Sequence, residues 1–90
     1  MSRPMIRKAT DRFAETPLDD ELVLMNIDTG SFHALKGTGF AIWQLIDVTR
    51  DEAAICAALL QSYAVDPQTC QAEVSRFIEQ MVGAGFVERA

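Results

Sequence analysis

The tightest constraint on this chain is a nearly unbroken apolar run, Leu22 to Ile27, that stops at Asp28-Thr29-Gly30. β-Branched Val23 and Ile27 favour an extended chain there. Asp and Gly supply turn chemistry and tolerate positive φ. A shorter run, Ser31 to Leu35, can then return antiparallel to the first. Lys36-Gly37-Thr38-Gly39 breaks the extended pattern. Thr38 is the expected N-cap of a helix with Ile42, Trp43, Leu45 and Ile46 on its buried side. A hairpin followed by a helix carrying the chain's only tryptophan is the seed of the core.

Alternation puts Leu22, Leu24 and Asn26 on one face of the first long strand, and Val23, Met25 and Ile27 on the other. Both faces are largely apolar, so helices are expected on one side and partial cover on the other. Upstream, Arg12 to Thr16 reads as a short strand with Phe13 inward, ended by Pro17 and the Asp19-Asp20 turn. If the sheet follows chain order, the strand Ser31 to Leu35 lies at an edge. Its unpaired N–H and C=O groups are then a template for another chain. Ser31, His33 and Leu35 share one face of it; Phe32 and Ala34 share the other.

Two more helices follow. Thr49-Arg50-Asp51-Glu52 reads as a capping box, with the Thr49 hydroxyl accepting from the Glu52 N–H and the Glu52 carboxylate reaching back. Ile55, Ala58, Leu59 and Ser62 repeat at helical spacing, and this helix fades near Tyr63. After Ala64-Val65, Asp66-Pro67 places a cap residue before proline at the first helical position. The last helix is expected from about Pro67 to Val82. Val74, Phe77, Ile78, Met81 and Val82 form its apolar stripe. Gly83 and Gly85 end it. Phe86-Val87 is too short for a lone strand and is expected to cover the bottom of the core. The order of elements predicts an α+β, winged-helix-like domain: a three-stranded antiparallel sheet, then three helices. Residues 1–10, polar and basic with Pro4, read as a flexible tail. Residues 11–90 then form a single domain.

The ninety residues carry a formal charge of −5, unevenly spread. From Phe13 onward there are four bases against twelve acids, a balance of −8. Such a body is a poor partner for phosphate backbones. It suits a partner with a basic surface, or serves solubility alone. No apolar run approaches the ~20 residues that cross a bilayer, and no apolar segment follows the basic N-terminus as in a signal peptide. A cytoplasmic location is expected, with no membrane contact. Cys56 and Cys70 lack CxxC spacing and a nearby histidine, and read as small apolar fillers. His33, the only histidine, has no nucleophile, carboxylate or metal-ligand set around it. Gly37-Thr38-Gly39 lacks the lysine and spacing of a phosphate loop. Neither an enzyme nor a cofactor is expected.

Gly30-Ser31-Phe32-His33-Ala34-Leu35, Thr38-Gly39 and Ile42-Trp43-x-Leu45 together resemble the PqqD-like family. The resemblance continues through Tyr63, Val65-Asp66-Pro67, Val74-x-x-Phe77-Ile78 and Gly85-Phe86-Val87, and so spans roughly residues 12 to 90. Lys36 and Asp47-Val48 depart from the family's usual Asn and Gly. The resemblance implies a recognition element for ribosomally made, post-translationally modified peptides. In such domains the leader segment of a precursor peptide adds as a strand, in a groove between the third strand and the third helix. Carried onto this chain, Ser31, Phe32, His33, Ala34 and Leu35 form the peptide-binding edge. Glu73, Phe77, Gln80 and Met81 are candidates for the helix wall. The partners implied are a leader peptide and a tailoring enzyme. That enzyme is a radical-SAM maturase or a leader peptidase, the latter as in a lasso-peptide system. Two alternatives stand beside this: a winged-helix DNA-binding protein, disfavoured by the acidic body, and an interaction subunit that never touches peptide. In the latter the edge would be blocked or self-paired into a homodimer.

Overall fold

The computed structural model describes residues 5–62 and 66–89. Residues 1–4 and 90 lie outside the described residues. So do Tyr63, Ala64 and Val65, read above as the end of the middle helix and the turn after it.

Strands β2 (Phe13–Pro17), β3 (Glu21–Asn26) and β4 (Phe32–Lys36) form an antiparallel sheet in the order β2-β3-β4. Helices α1 (Gly37–Val48), α2 (Glu52–Ser62) and α3 (Pro67–Gly83) follow it. This is the α+β architecture expected from the element order. The helices pack on one face of the sheet, where Leu22, Leu24 and Leu35 meet Ile42, Trp43 and Ile46 of α1. Ile55 and Leu59 of α2, with Cys70, Val74 and Ile78 of α3, complete the core. Phe13 stands edge-on to both Trp43 and Phe86, at 5.3 and 5.9 Å. Such T-shaped pairs add to area burial.

For residues 5–10 the tail reading is corrected. Ile6–Lys8 form a strand, β1, that pairs antiparallel with β5 (Val87–Arg89). Ile6 is 1% exposed and Ala9 3%. Lys8 lies over the Trp43 ring at 4.3 Å and reaches Asp47 at 2.7 Å. A basic residue that reads as solvated is thus a cation–π partner on the core's rim. A three-residue strand with one apolar side chain has no local signature. Its partner lies at the other end of the chain, and Phe86-Val87 is long enough for a strand only because β1 is there.

Two caps differ from expectation. Helix α1 opens with Lys36 as N-cap and no side-chain bond, with Thr38 already inside the helix. Gly37, at φ +55°, swings strand directly into helix, a conformation glycine adopts at little cost. The Thr49–Glu52 box does not form. Asp51 instead accepts from the Ala53 N–H at 3.1 Å, and Thr49 from the Asp51 N–H at 3.5 Å. β1 is the reason. Ile6 N–H donates to the Arg50 carbonyl at 2.9 Å and Met5 bridges Asp51, which holds that stretch extended and starts α2 at Glu52.

The ends of α3 match expectation. Asp66 accepts from the Gln68 and Thr69 N–H groups, both at 3.1 Å, with Pro67 at the first position. At the far end Phe86 N–H donates to Met81 O (2.9 Å) and Gly85 N–H to Val82 O (3.1 Å), with Gly85 at φ +85°. This is a Schellman stop. Cys56 and Cys70 are free thiols on facing helices. Cys70 is buried, and burial pushes the half-buried Cys56 thiol up, helped by the neighbouring Cys70.

Candidate peptide-binding cleft

Hydrogen-bond phase decides which backbone groups of β4 are open. Asn26 N–H donates to Ser31 O at 2.8 Å, and Ile27 N–H to Arg12 O at 2.9 Å. Antiparallel ladders alternate, so Leu22, Leu24 and Asn26 bond toward β4 while Val23, Met25 and Ile27 bond toward β2. Leu24 faces His33 and Leu22 faces Leu35. The amides and carbonyls of Ser31, His33 and Leu35 are therefore taken up by β3. Those of Phe32, Ala34 and Lys36 point away from it. Among the described residues no strand pairs with that edge. The opposite edge, β2, is a poorer template: by the same alternation Pro17 faces outward and has no N–H to offer.

Beside the end of β4 lies a cleft of about 310 Å³, lined by Lys36, Thr38, Gly39, Ile42, Glu73, Arg76, Phe77 and Gln80. Phe77 forms its apolar floor. A Cβ on Gly39 would come within 3.3 Å of the Phe77 ring. Glycine there lets α1 approach the wall of α3. Glu73 and Arg76 place opposite charges on the exposed rim. The Lys36 ammonium is held by Glu21 at 3.1 Å, whose hydrogen bond and charge raise the lysine's pKa.

Of the nine residues expected to bind peptide, Glu73, Phe77 and Gln80 line the cleft. Phe32 is 68% exposed, and with Ala34 it faces away from the helices. His33 is half-buried, edge-on to Phe86 at 5.1 Å. Leu35 (6% exposed) and Met81 (3%) lie in the core beneath the cleft rather than at its surface. Ser31 precedes β4, its carbonyl bonded to Asn26. Lys36, Thr38, Gly39, Ile42 and Arg76 were not anticipated. Arg76 was within reach, since 73, 76, 77 and 80 fall on one helical face. Lys36 ends β4, and Thr38, Gly39 and Ile42 belong to α1 and depend on how closely it approaches α3. Phe77 and Ile78 also separate here: Ile78 is wholly buried at 0%, and Phe77, at 9%, faces the cleft.

Asn26 ties the two walls together. Its carboxamide oxygen accepts from the Asp28 and Thr29 N–H groups at 2.9 and 3.2 Å, which shapes the turn that launches β4. Its nitrogen donates to Ala84 O at 2.8 Å, at the C-cap of α3. Asn26→Ala removes all three bonds at a site 8% exposed. The expected loss is about 2–3 kcal/mol, or about 10–20 °C in Tm for a chain of this size. A calorimetric melt unchanged from wild type would show that the bridge carries no weight.

Among the described residues no three His, Cys, Asp or Glu side chains group to hold a metal ion, and no helix is long and apolar enough to cross a membrane.

A family model described as coenzyme PQQ synthesis protein D (PqqD) matches residues 21–87. No curated protein matches the chain. Among solved structures, that of TbiB1 in complex with the TbiA(beta) leader peptide is similar, with a TM-score of 0.83 and 26% identity. The match covers 91% of this chain and 94% of that one.

Proposed function

Since the chain belongs to the PqqD family, we propose that it is a non-catalytic chaperone for a ribosomally made precursor peptide. It captures the leader segment by strand addition at β4 and presents the remainder to a tailoring enzyme. That enzyme is a leader peptidase, as in a lasso-peptide system, or a radical-SAM maturase. The observation that carries this reading is the open edge of Phe32 and Ala34, with the Lys36 N–H at its end, flanked by the Phe77 cleft. Main-chain bonds to the edge supply affinity, and pockets for alternate side chains supply selectivity. One face of the guest strand lies over Phe77 and Gln80, and the other emerges beside Phe32. Holding the leader raises the effective concentration of the core peptide at the enzyme, so the gain in rate needs no catalytic group in this chain. The leader peptide bound in the TbiB1 structure supports the assignment.

The test is calorimetric titration with the leader peptide encoded beside the chain. Phe77→Ala is expected to weaken binding by about tenfold or more, the range of a buried aromatic contact. Phe32→Ala is expected to weaken it less. Equal heats and affinities for wild type and both variants would mean that the cleft is misassigned. Salt separates the DNA-binding alternative: a strand-pairing, apolar guest loses little affinity with added salt, whereas a nucleic acid loses it steeply.

A further inference from the structure

Cys56 and Cys70 are the chain's two cysteines, and thirteen residues separate them. Helices α2 and α3 pack on one another and bring the pair together. The Cys70 thiol is 2% exposed and donates to the Cys56 carbonyl at 3.9 Å, so it points across to the turn of α2 that carries Cys56. The Cys56 thiol is half-buried and within hydrogen-bonding reach of the Cys70 thiol. Cys56 also lines a cavity of about 280 Å³, together with Asp51, Glu52, Ala53, Gln71, Val74 and Ser75. At 100° per residue, Gln71, Val74 and Ser75 fall on one margin of the apolar stripe of α3, and the cleft residues Glu73, Arg76 and Gln80 on the opposite one.

We infer that this pair is a modification site: hydrogen peroxide joins Cys56 to Cys70 in a reversible disulfide that ties the start of α3 to α2. Access orders the two sulfurs. A reagent in the cavity reaches Cys56, and buried Cys70 is held against it as the resolving thiol. Asp51 and Glu52 beside Cys56 disfavour an anionic oxidant such as glutathione disulfide. Peroxide is neutral and small. The Cys56 thiolate attacks one peroxide oxygen. The O–O bond breaks, hydroxide leaves, and with the thiol's proton it becomes water; Cys56 is then a sulfenic acid. The Cys70 thiolate attacks the Cys56 sulfur. The S–O bond breaks, the S–S bond forms, and the departing hydroxide takes the Cys70 proton as a second water. The two thiols have lost two electrons, and one peroxide has gained them. Burial first, then the Cys70 thiol and Glu52, push the Cys56 thiol up. The thiolate is the reacting form, so the site responds slowly, to sustained peroxide rather than to a pulse. The bond is about 2 Å long, and thiols already in contact have little further to travel. The cross-link fixes the first turns of α3 from the core side and does not enter the cleft. It needs no leader peptide, so it does not depend on the reading above.

The experiment uses the full chain, reduced, exposed to excess hydrogen peroxide, and then blocked with iodoacetamide in denaturant. Trypsin leaves both cysteines in one fragment, Asp51 to Arg76, because no lysine or arginine lies between those ends. Mass spectrometry is expected to find that fragment unlabelled and lighter by two hydrogens. Dithiothreitol before blocking should restore both labels. The oxidised chain should melt about 10 °C or more above the reduced one, the range for closing a loop of this length in a small domain. Cys70→Ala keeps a small apolar filler at the buried site and should stop at the sulfenic acid, trapped by dimedone on Cys56. Cys56→Ala, at a half-buried site, should leave Cys70 unoxidised, since burial shields it. Two labels after prolonged peroxide, sulfinic acid on Cys56 with Cys70 still free, or fragments joined between two chains would each overturn the site. Oxidation of Cys70 in C56A as fast as in wild type would overturn the order of the sulfurs. A melt unchanged or lowered by the disulfide would overturn the tie between the helices.

Discussion

Ala34→Pro is expected to abolish leader capture while the chain stays folded. Proline has no N–H, and its ring occupies the space on that side of the backbone. At Ala34 that side is the open edge, so no bond to β3 is lost. The side chain is exposed, and His33 before it is already extended, as a residue preceding proline should be. The folded state should lose only about 1 kcal/mol, the span of strand propensities. A guest strand loses a central hydrogen bond and meets the ring, so affinity should fall by about a hundredfold or more, about 2.7 kcal/mol. Leu35→Pro is the control. Its N–H faces β3 and its side chain is 6% exposed, so that variant should unfold, losing about 2–5 kcal/mol from the side chain alone. Calorimetry with the leader, alongside melts followed by circular dichroism, reads both. Leader affinity unchanged in A34P would show that the guest does not pair with β4.

Removing residues 1–9 should destabilise the chain severely. Ile6 fills a core site at 1% exposure, and β1 supplies the only pairing of β5 among the described residues. Losing a buried isoleucine costs about 2–5 kcal/mol. The Lys8–Trp43 contact adds about 0.5–2 kcal/mol. Together these are a large share of the roughly 5–15 kcal/mol that holds a small domain. A fall in Tm of about 15 °C or more is expected, and Ile6→Ala should reproduce most of it. A loose basic tail would instead leave the melt unchanged when trimmed. Leader affinity extrapolated to the folded fraction should change little, since β1 lies outside the cleft.

These two predictions divide what was legible from what was not. The β3–β4 hairpin announces itself, because its apolar run, turn residues and alternation lie within fifteen residues of one another. The edge position of β4 follows from chain order once the sheet is built in sequence. Helix α3 is equally plain: Asp66-Pro67 opens it, Val74, Phe77, Ile78 and Met81 mark one side, and Gly85 stops it. Each of these signals is local, so a reading of neighbours along the chain recovers it.

The misses share a cause. Thr49 looks like the start of a capping box, and locally it is one. The backbone of Arg50 and Asp51 is held extended by β1, whose partners cannot be seen from residues 49 to 52. Asn26 looks like a polar interruption in a strand. Its carboxamide nitrogen finds a partner only because the end of α3 arrives within 2.8 Å. Met81 looks like a cleft residue by helical spacing, yet the stripe is wide enough that its middle is core and only its margin is wall.

The identities of β2, β3, β4 and the three helices were thus written in the sequence, because periodicity and turn residues act over a few neighbours; β1, β5 and the starts of α1 and α2 were not, because each depends on residues far along the chain. Which margin of α3 faces the cleft, which backbone groups of β4 remain open, and whether Ile6 is tail or core were decided by tertiary structure alone. Each depends on atoms brought together from distant parts of the chain. Burial and ladder phase exist only once that packing is complete.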